Sequence, residues 1–159
     1  MRIKLLTVGR LKEAFFRDAL AEYKKRLSRY AQVEVIEVAD QPAPEKLTPA
    51  QKEQVLRQEG ERLLSHIQEQ DTVIALCIEG RQMSSEALAA TIDTYMNTGK
   101  SSLCFIIGGS LGLSPEVVKK ASLKLSFSPM TFSHQIFRVM LLEQVYRAFK
   151  IIRGEPYHK

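Results

Sequence analysis

Short, nearly unbroken apolar runs alternate along this chain with longer stretches whose apolar positions recur every three or four residues. Residues 3–8 form the first run and predict a strand. Across residues 13–27, Phe15, Phe16, Ala19, Leu20, Tyr23 and Leu27 fall at helical spacing, with Lys24, Lys25 and Arg26 near the helix end that favours cations. Residues 33–38 predict a second strand. Prolines break residues 41–49, and Thr48-Pro49-Ala50-Gln51 reads as a capping box with proline at the first helical position, so a polar helix follows to about His66. Residues 72–78 and 103–107 are almost wholly apolar, as strands covered on both faces are. Between them Ser84 or Ser85 caps a helix that Gly99 ends. Ser114-Pro115 opens a short helix, residues 123–127 predict a fifth strand, and a long helix runs over residues 133–152. Strands alternating with helices predict an α/β fold, a mainly parallel sheet flanked by helices, in one domain spanning residues 1–159.

The last helix breaks the amphipathic rule. Ile136, Phe137, Val139, Met140, Leu141, Leu142, Val145, Phe149 and Ile152 occupy more of its circumference than the ~100° stripe that docks a surface helix on one core. Burial on two sides is expected, against its own sheet and against a second copy in a homodimer.

Composition narrows the class. A chain of 159 residues, 45% hydrophobic and 26% charged, is neither disordered, collagen-like nor a disulfide scaffold. No apolar run approaches the ~20 residues of a membrane span, and Gly9-Arg10-Leu11-Lys12 cuts the opening apolar run too early for a signal peptide, so a cytoplasmic protein is expected. Cys77 and Cys104 lie in apolar stretches and read as buried, reduced thiols; His66, His134 and His158 are scattered, and no metal site is expected. The net charge of +5 is uneven: residues 100–159 hold nine Lys/Arg against three Asp/Glu, whereas residues 1–99 hold fourteen against fifteen. A basic excess confined to one part of the chain points to a polyanionic partner, most commonly nucleic acid.

Three segments carry candidate chemistry. Gly108-Gly-Ser-Leu-Gly112 follows a buried strand and matches the G-x-S-x-G nucleophile elbow, with Ser110 as nucleophile. A serine hydrolase then needs an acid and a histidine. No aspartate follows Ser110, leaving Glu116, Glu143 or Glu155 with His134 or His158. The same glycines equally suit a loop that lets a ligand approach the backbone. Residues 125–134 mix hydroxyl, apolar and aromatic groups, as a pocket for a flat base does. The tail Arg153-Gly-Glu-Pro-Tyr-His-Lys159 concentrates groups that hydrogen-bond, stack or titrate.

Taken together, Phe105-Ile-Ile-Gly-Gly-Ser-Leu-Gly-Leu113, Leu125-Ser-Phe-Ser-Pro-Met-Thr-Phe-Ser-His-Gln135, Glu143-Gln-Val-Tyr-Arg-Ala148 and Gly154-Glu-Pro-Tyr-His158 resemble the RlmH family, small SPOUT-class methyltransferases of ribosomal RNA. Ile3-Lys-Leu-Leu-Thr-Val-Gly-Arg-Leu-Lys12 and Ser84-Ser-Glu-Ala-Leu-Ala89 extend the likeness over nearly the whole chain. The resemblance implies a C-terminal trefoil knot, a homodimer, S-adenosylmethionine as cofactor, and methylation of N3 of a pseudouridine in helix 69 of 23S rRNA, in the assembled ribosome. Carried over by position, cofactor contacts fall on Leu76, Gly108, Phe127, Ser128, Pro129, Met130, Thr131 and Phe132. The chain departs from the family at Ser133, where proline is frequent; Pro129 occupies a variable position. The N3 proton of a uracil-type ring is an acidic imide, so a modest base or nearby cations suffice. His158, Tyr157 and Arg153 are the catalytic candidates, and His134, Arg138, Arg153 and Lys159 the candidate RNA contacts. A non-catalytic RNA-binding or ribosome-binding protein is the alternative, against which the ligand-like loops argue.

Overall fold

The computed structural model describes all 159 residues. Five strands, β1 (Arg2–Val8), β2 (Gln32–Val38), β3 (Asp71–Gln82), β4 (Ser102–Ile107) and β5 (Leu123–Ser126), form one sheet in the order β2-β1-β4-β3-β5. Every pairing is parallel. The helices are α1 (Ala14–Leu27), α2 (Pro49–Leu64), α3 (Ser85–Asn97), α4 (Pro115–Lys120) and α5 (His134–Ile152).

Side chains alternate across a strand, and here that alternation builds two cores. Ile3 and Leu5 of β1 and Leu103, Phe105 and Ile107 of β4 face α1, α3 and α5. Leu6, Val8, Cys104 and Ile106 point the other way, onto α2 and α4. Every position of β4 after Ser102 is therefore apolar, and in β1 only Lys4 and Thr7 interrupt the run from Ile3 to Val8. Helix starts are fixed by local chemistry. Thr48 Oγ1 accepts from the Gln51 amide while Gln51 Oε1 accepts from the Thr48 amide, closing the capping box. Ser84, not Ser85, caps α3, through a bond from the Ala87 amide. Ser133 caps α5 by accepting from the Gln135 amide.

Only β3 departs from its expected bounds by more than two residues. β3 runs four residues beyond the apolar stretch, to Gln82, after a register shift between Leu76 and Arg81 in its pairing with β5. At this irregularity a Cβ on Gly80 would stand 2.8 Å from backbone atoms of Lys124 and Leu125, so two chain segments touch where only glycine fits.

At the opposite end of the sheet, Lys4 on β1 forms a buried ion pair with Asp71 at 2.7 Å. Burial pushes the Asp71 carboxyl up, but hydrogen bonds from Lys4, Ser102 and the Gln68 amide outweigh it and hold the group below its ordinary value of 3.8. A carboxylate with a depressed folded value stabilises the fold above its unfolded value, and that stability is lost as pH falls through the folded one. Urea unfolding should therefore show stability declining from about pH 4 downward. Asp71→Asn should flatten this decline and cost about 3–5 kcal/mol at neutral pH by stranding Lys4. An unchanged acid limb in the variant would show that other carboxylates govern it.

Candidate functional site

The C-terminal ends of β3, β4 and β5 open onto one cavity of about 510 Å³, within the range of small-molecule sites. Leu76 arrives from β3, Gly108 from the loop after β4, and Phe127, Ser128, Met130, Thr131 and Phe132 from the segment joining β5 to α5. Seven of the eight expected cofactor contacts thus share one wall system. Pro129 belongs to the same segment but does not line the cavity.

Each loop is held by its own chemistry. A Cβ on Gly108 would overlap the Gly112 carbonyl, so this glycine is needed first for the loop to close on itself; Gly112 takes φ +87°. Ser126 Oγ donates to the Ser128 carbonyl and Ser128 Oγ accepts from the Met130 amide, bracing the start of the third loop. Phe137 of α5 anchors the rest: Phe127 packs edge-on to it at 4.8 Å and Phe132 stacks on it at 6.0 Å. The cavity therefore combines an aromatic shelf with glycine backbone, and Glu79 and Lys124 bring one charge of each sign. That set fits S-adenosylmethionine, which carries a flat base and an amino-acid zwitterion. Phe137, Glu79 and Lys124 escape sequence reasoning, because the β3 irregularity and the turn of α5 bring them there.

His134 lines the same cavity. Burial, reinforced by the neighbouring Arg138 charge, lowers its pKa and keeps the imidazole neutral near pH 7. Arg138, expected to contact RNA, is instead fully buried. Its guanidinium donates to Glu37 at 2.6 Å, to the Val8 and Gly9 carbonyls at 2.9 Å, and to the His134 carbonyl at 3.2 Å. Four of its five donors are committed inside the protein, so it is a positioning residue.

No residue of the tail lines the cavity of its own chain. Tyr157 packs edge-on to Tyr146 at 4.9 Å beneath the Arg147 guanidinium and donates to Glu143 at 3.1 Å. Burial and that carboxylate push its phenol up to about 12. His158 lies between Arg147, 3.2 Å from Nδ1, and Glu86, 2.9 Å from Nε2. A guanidinium only donates, so Nδ1 accepts and Nε2 carries the proton. Arg153 and Lys159 are exposed. A second cavity, about 520 Å³, lies beside the tail and is lined by Tyr23, Met83, Leu88, Ile136, Val139 and Met140 among others, which leaves one side of α5 without a packing partner in the single chain.

Ser110 is exposed and makes no hydrogen bond to a histidine. No non-glycine residue has positive φ, so the strained turn of a nucleophile elbow is missing. The hydrolase reading finds no support in this geometry.

Residues 1–158 match the family described as "Predicted SPOUT methyltransferase". The chain is 55% identical, over the full length of both proteins, to ribosomal RNA large subunit methyltransferase H of Bacillus pumilus (strain SAFR-032). Its fold is similar to that of tRNA (m1G37) methyltransferase from Aquifex aeolicus, with a TM-score of 0.55 at 14% identity, covering 100% of this chain and 75% of that one. A Legionella pneumophila protein in complex with the bound cofactor SAM has a TM-score of 0.51 at 13% identity, covering 94% of this chain and 66% of that one.

Arg138→Met should strand four acceptors beneath α5, lower stability by about 3–5 kcal/mol in urea unfolding, and raise the His134 pKa in an NMR titration. Parent-like stability and titration would show that the guanidinium carries neither burden.

Proposed function

Because the chain belongs to the SPOUT methyltransferase family, we propose that it uses S-adenosylmethionine to methylate 23S rRNA in the ribosome, at N3 of a pseudouridine in helix 69. The observation that carries this reading is the convergence of Leu76, Gly108, Phe127, Ser128 and residues 130–132 on one cavity of cofactor size. S-adenosylmethionine, when bound, supplies a methyl group on a positively charged sulfur, an electrophile that needs no metal.

What remains for the chain is positioning and proton handling. The shelf of Phe127 and Phe132 takes the flat base, and the glycine loop admits close approach by the rest of the cofactor. His134, neutral and on the cavity wall, is placed to accept the imide proton without repelling a cationic ligand. Tyr157 and His158 do different work in their docked state, since the Tyr157 hydroxyl already donates to Glu143 and the His158 acceptor nitrogen is occupied by Arg147. Tyr157 offers a stacking face, and Arg153 and Lys159 contact phosphates, which fixes the RNA without reading its sequence. The tail lies away from its own cavity, so it serves the cavity of a second subunit in a homodimer joined over Ile136, Val139 and Met140. The trefoil knot and a cytoplasmic location go with this reading; no helix is long and apolar enough to cross a membrane.

Incubation with labelled S-adenosylmethionine and ribosomes lacking the mark should place the label on one pseudouridine of helix 69, found by mapping the nucleotide. Thr131→Trp fills the cavity from an exposed position; calorimetry should show cofactor binding lost with the unfolding midpoint unchanged. Label elsewhere, or parent-like binding by the variant, would refute the substrate or the cofactor placement respectively.

Deleting residues 156–159 should abolish methyl transfer while cofactor affinity stays near that of the parent. Sedimentation should give a dimer of the 18.0 kDa chain for both proteins. Full activity after truncation would remove the tail from the reaction, and a monomeric parent would remove the shared site.

A further inference from the structure

The loop between β1 and α1 and the first turn of α1 present two free cations and an exposed aromatic ring at the end of the sheet that carries the cavity. Phe15 is 64% exposed, although its ring lies against Phe16 at 4.4 Å. Arg10 and Lys12, just before it, are exposed, and their side chains form no ion pair or hydrogen bond. A large apolar ring held in water, with Arg10 and Lys12 outnumbering Glu13 among the unpaired charges before it, contributes only its contact with Phe16 to the fold of the single chain.

The segment is nonetheless rigidly held. Gly9 turns it with φ +86° and donates its amide to the Val38 carbonyl. Leu11 is buried, and its amide donates to Glu37 at 2.8 Å. Arg17 reaches back from α1 to the carbonyls of Leu11 and Lys12, at 3.2 and 2.7 Å. Glu37 also accepts from Arg138, the residue that secures the start of α5. A Cβ on Gly9 would lie 3.7 Å from His134 Nε2, so the loop adjoins the cavity wall directly.

We propose that Arg10, Lys12 and Phe15 form a second RNA-contact surface, in which Phe15 stacks on an unpaired base near the target nucleotide while Arg10 and Lys12 hold the flanking phosphates. The inference rests on the ribosomal RNA methyltransferase reading and adds a surface separate from both the cavity and the tail. Stacking on an aromatic ring is tolerant of base identity, and cations beside it supply attraction to the backbone. A second copy of this chain is the poorer occupant, because a two-fold contact through this loop would bring its cations together. The groove lined by Ile136, Val139 and Met140 offers a copy far more apolar surface.

The chain contains no tryptophan, so Phe15→Trp installs a single indole reporter at the proposed contact. Its fluorescence should be quenched on titration with large ribosomal subunits lacking the methyl mark. Phe15→Ala should raise KM for those subunits roughly ten-fold, with kcat and cofactor affinity near those of the parent. Arg10→Gln with Lys12→Gln should weaken subunit binding and flatten its salt dependence. Unquenched indole together with an unchanged KM would overturn the proposal. So would a Phe15→Ala protein that sediments as a monomer where the parent is a dimer, which would assign the ring to a second copy. A parent protein that methylates no ribosomal RNA would refute the underlying reading, and the indole titration would still report on RNA contact.

Discussion

Arg138 carries a guanidinium into the interior at the edge where the strands end, and much of the site depends on it. Transferring such a charge out of water costs several kcal/mol unless paired and hydrogen-bonded. Here the compensation comes from three different places in the fold: Glu37 near the end of β2, Val8 at the end of β1 with Gly9 just past it, and His134 at the start of α5. A hydrophobic side chain of the same volume would fill the space without dictating direction. The planar fork of arginine demands its acceptors in fixed positions, so the first turn of α5 is registered against β1 and β2. From that turn hang His134 and the 127–132 segment, and therefore one wall of the cavity.

The opposite wall has a different origin. Parallel strands end in crossover loops, and a sheet whose strand order departs from chain order brings loops from separate parts of the sequence side by side. β4 sits between β1 and β3, and β5 lies outside β3, so the loops after β3, β4 and β5 meet without any of them being long. Their closeness is limited by backbone volume. Around the cavity, Gly80 against Lys124 and Leu125, and Gly108 against Gly112, are places where a single methyl group would push two stretches of backbone apart. Cavity shape is thus fixed by contacts that contain no side chain on one partner.

The features legible in the sequence are the ones decided locally. Apolar runs gave the strands because β1 and β4 are covered on both faces, and the capping box at Thr48 and the Ser114-Pro115 start lie where their residues predict. The β3 extension is different. Glu79-Gly-Arg-Gln82 has the composition of a turn, and only pairing with β5 makes part of it strand. Arg138 is different for the same reason: on a helix, a charged residue reads as solvent-facing, and the partners that draw it inside lie more than a hundred positions earlier in the chain. The candidate cofactor residues came from family resemblance. Topology then explains their meeting, which no spacing along the chain encodes.

The basic excess of the C-terminal part also reads differently once the pairs are known. Arg138, Arg147 and Lys150 are tied to Glu37, Glu143 and Glu155, and do structural work. Two of those three acids belong to the same C-terminal part, so pairing removes most of its negative charge along with the cations. Lys100, Lys119, Lys120, Lys124, Arg153 and Lys159 remain exposed, against Glu116 alone. The pairing therefore concentrates rather than cancels the positive field. Tethered cations shape the tail and the start of α5, while free ones on α4, β5 and the tail face solvent. With Arg10 and Lys12 beside Gly9, free cations occur on both the β1 and β5 sides of the sheet. A polyanion guided by such a field is oriented before any base is recognised. On the proposed reading, discrimination then falls to the aromatic and imidazole groups, whose positions depend on the buried pairs.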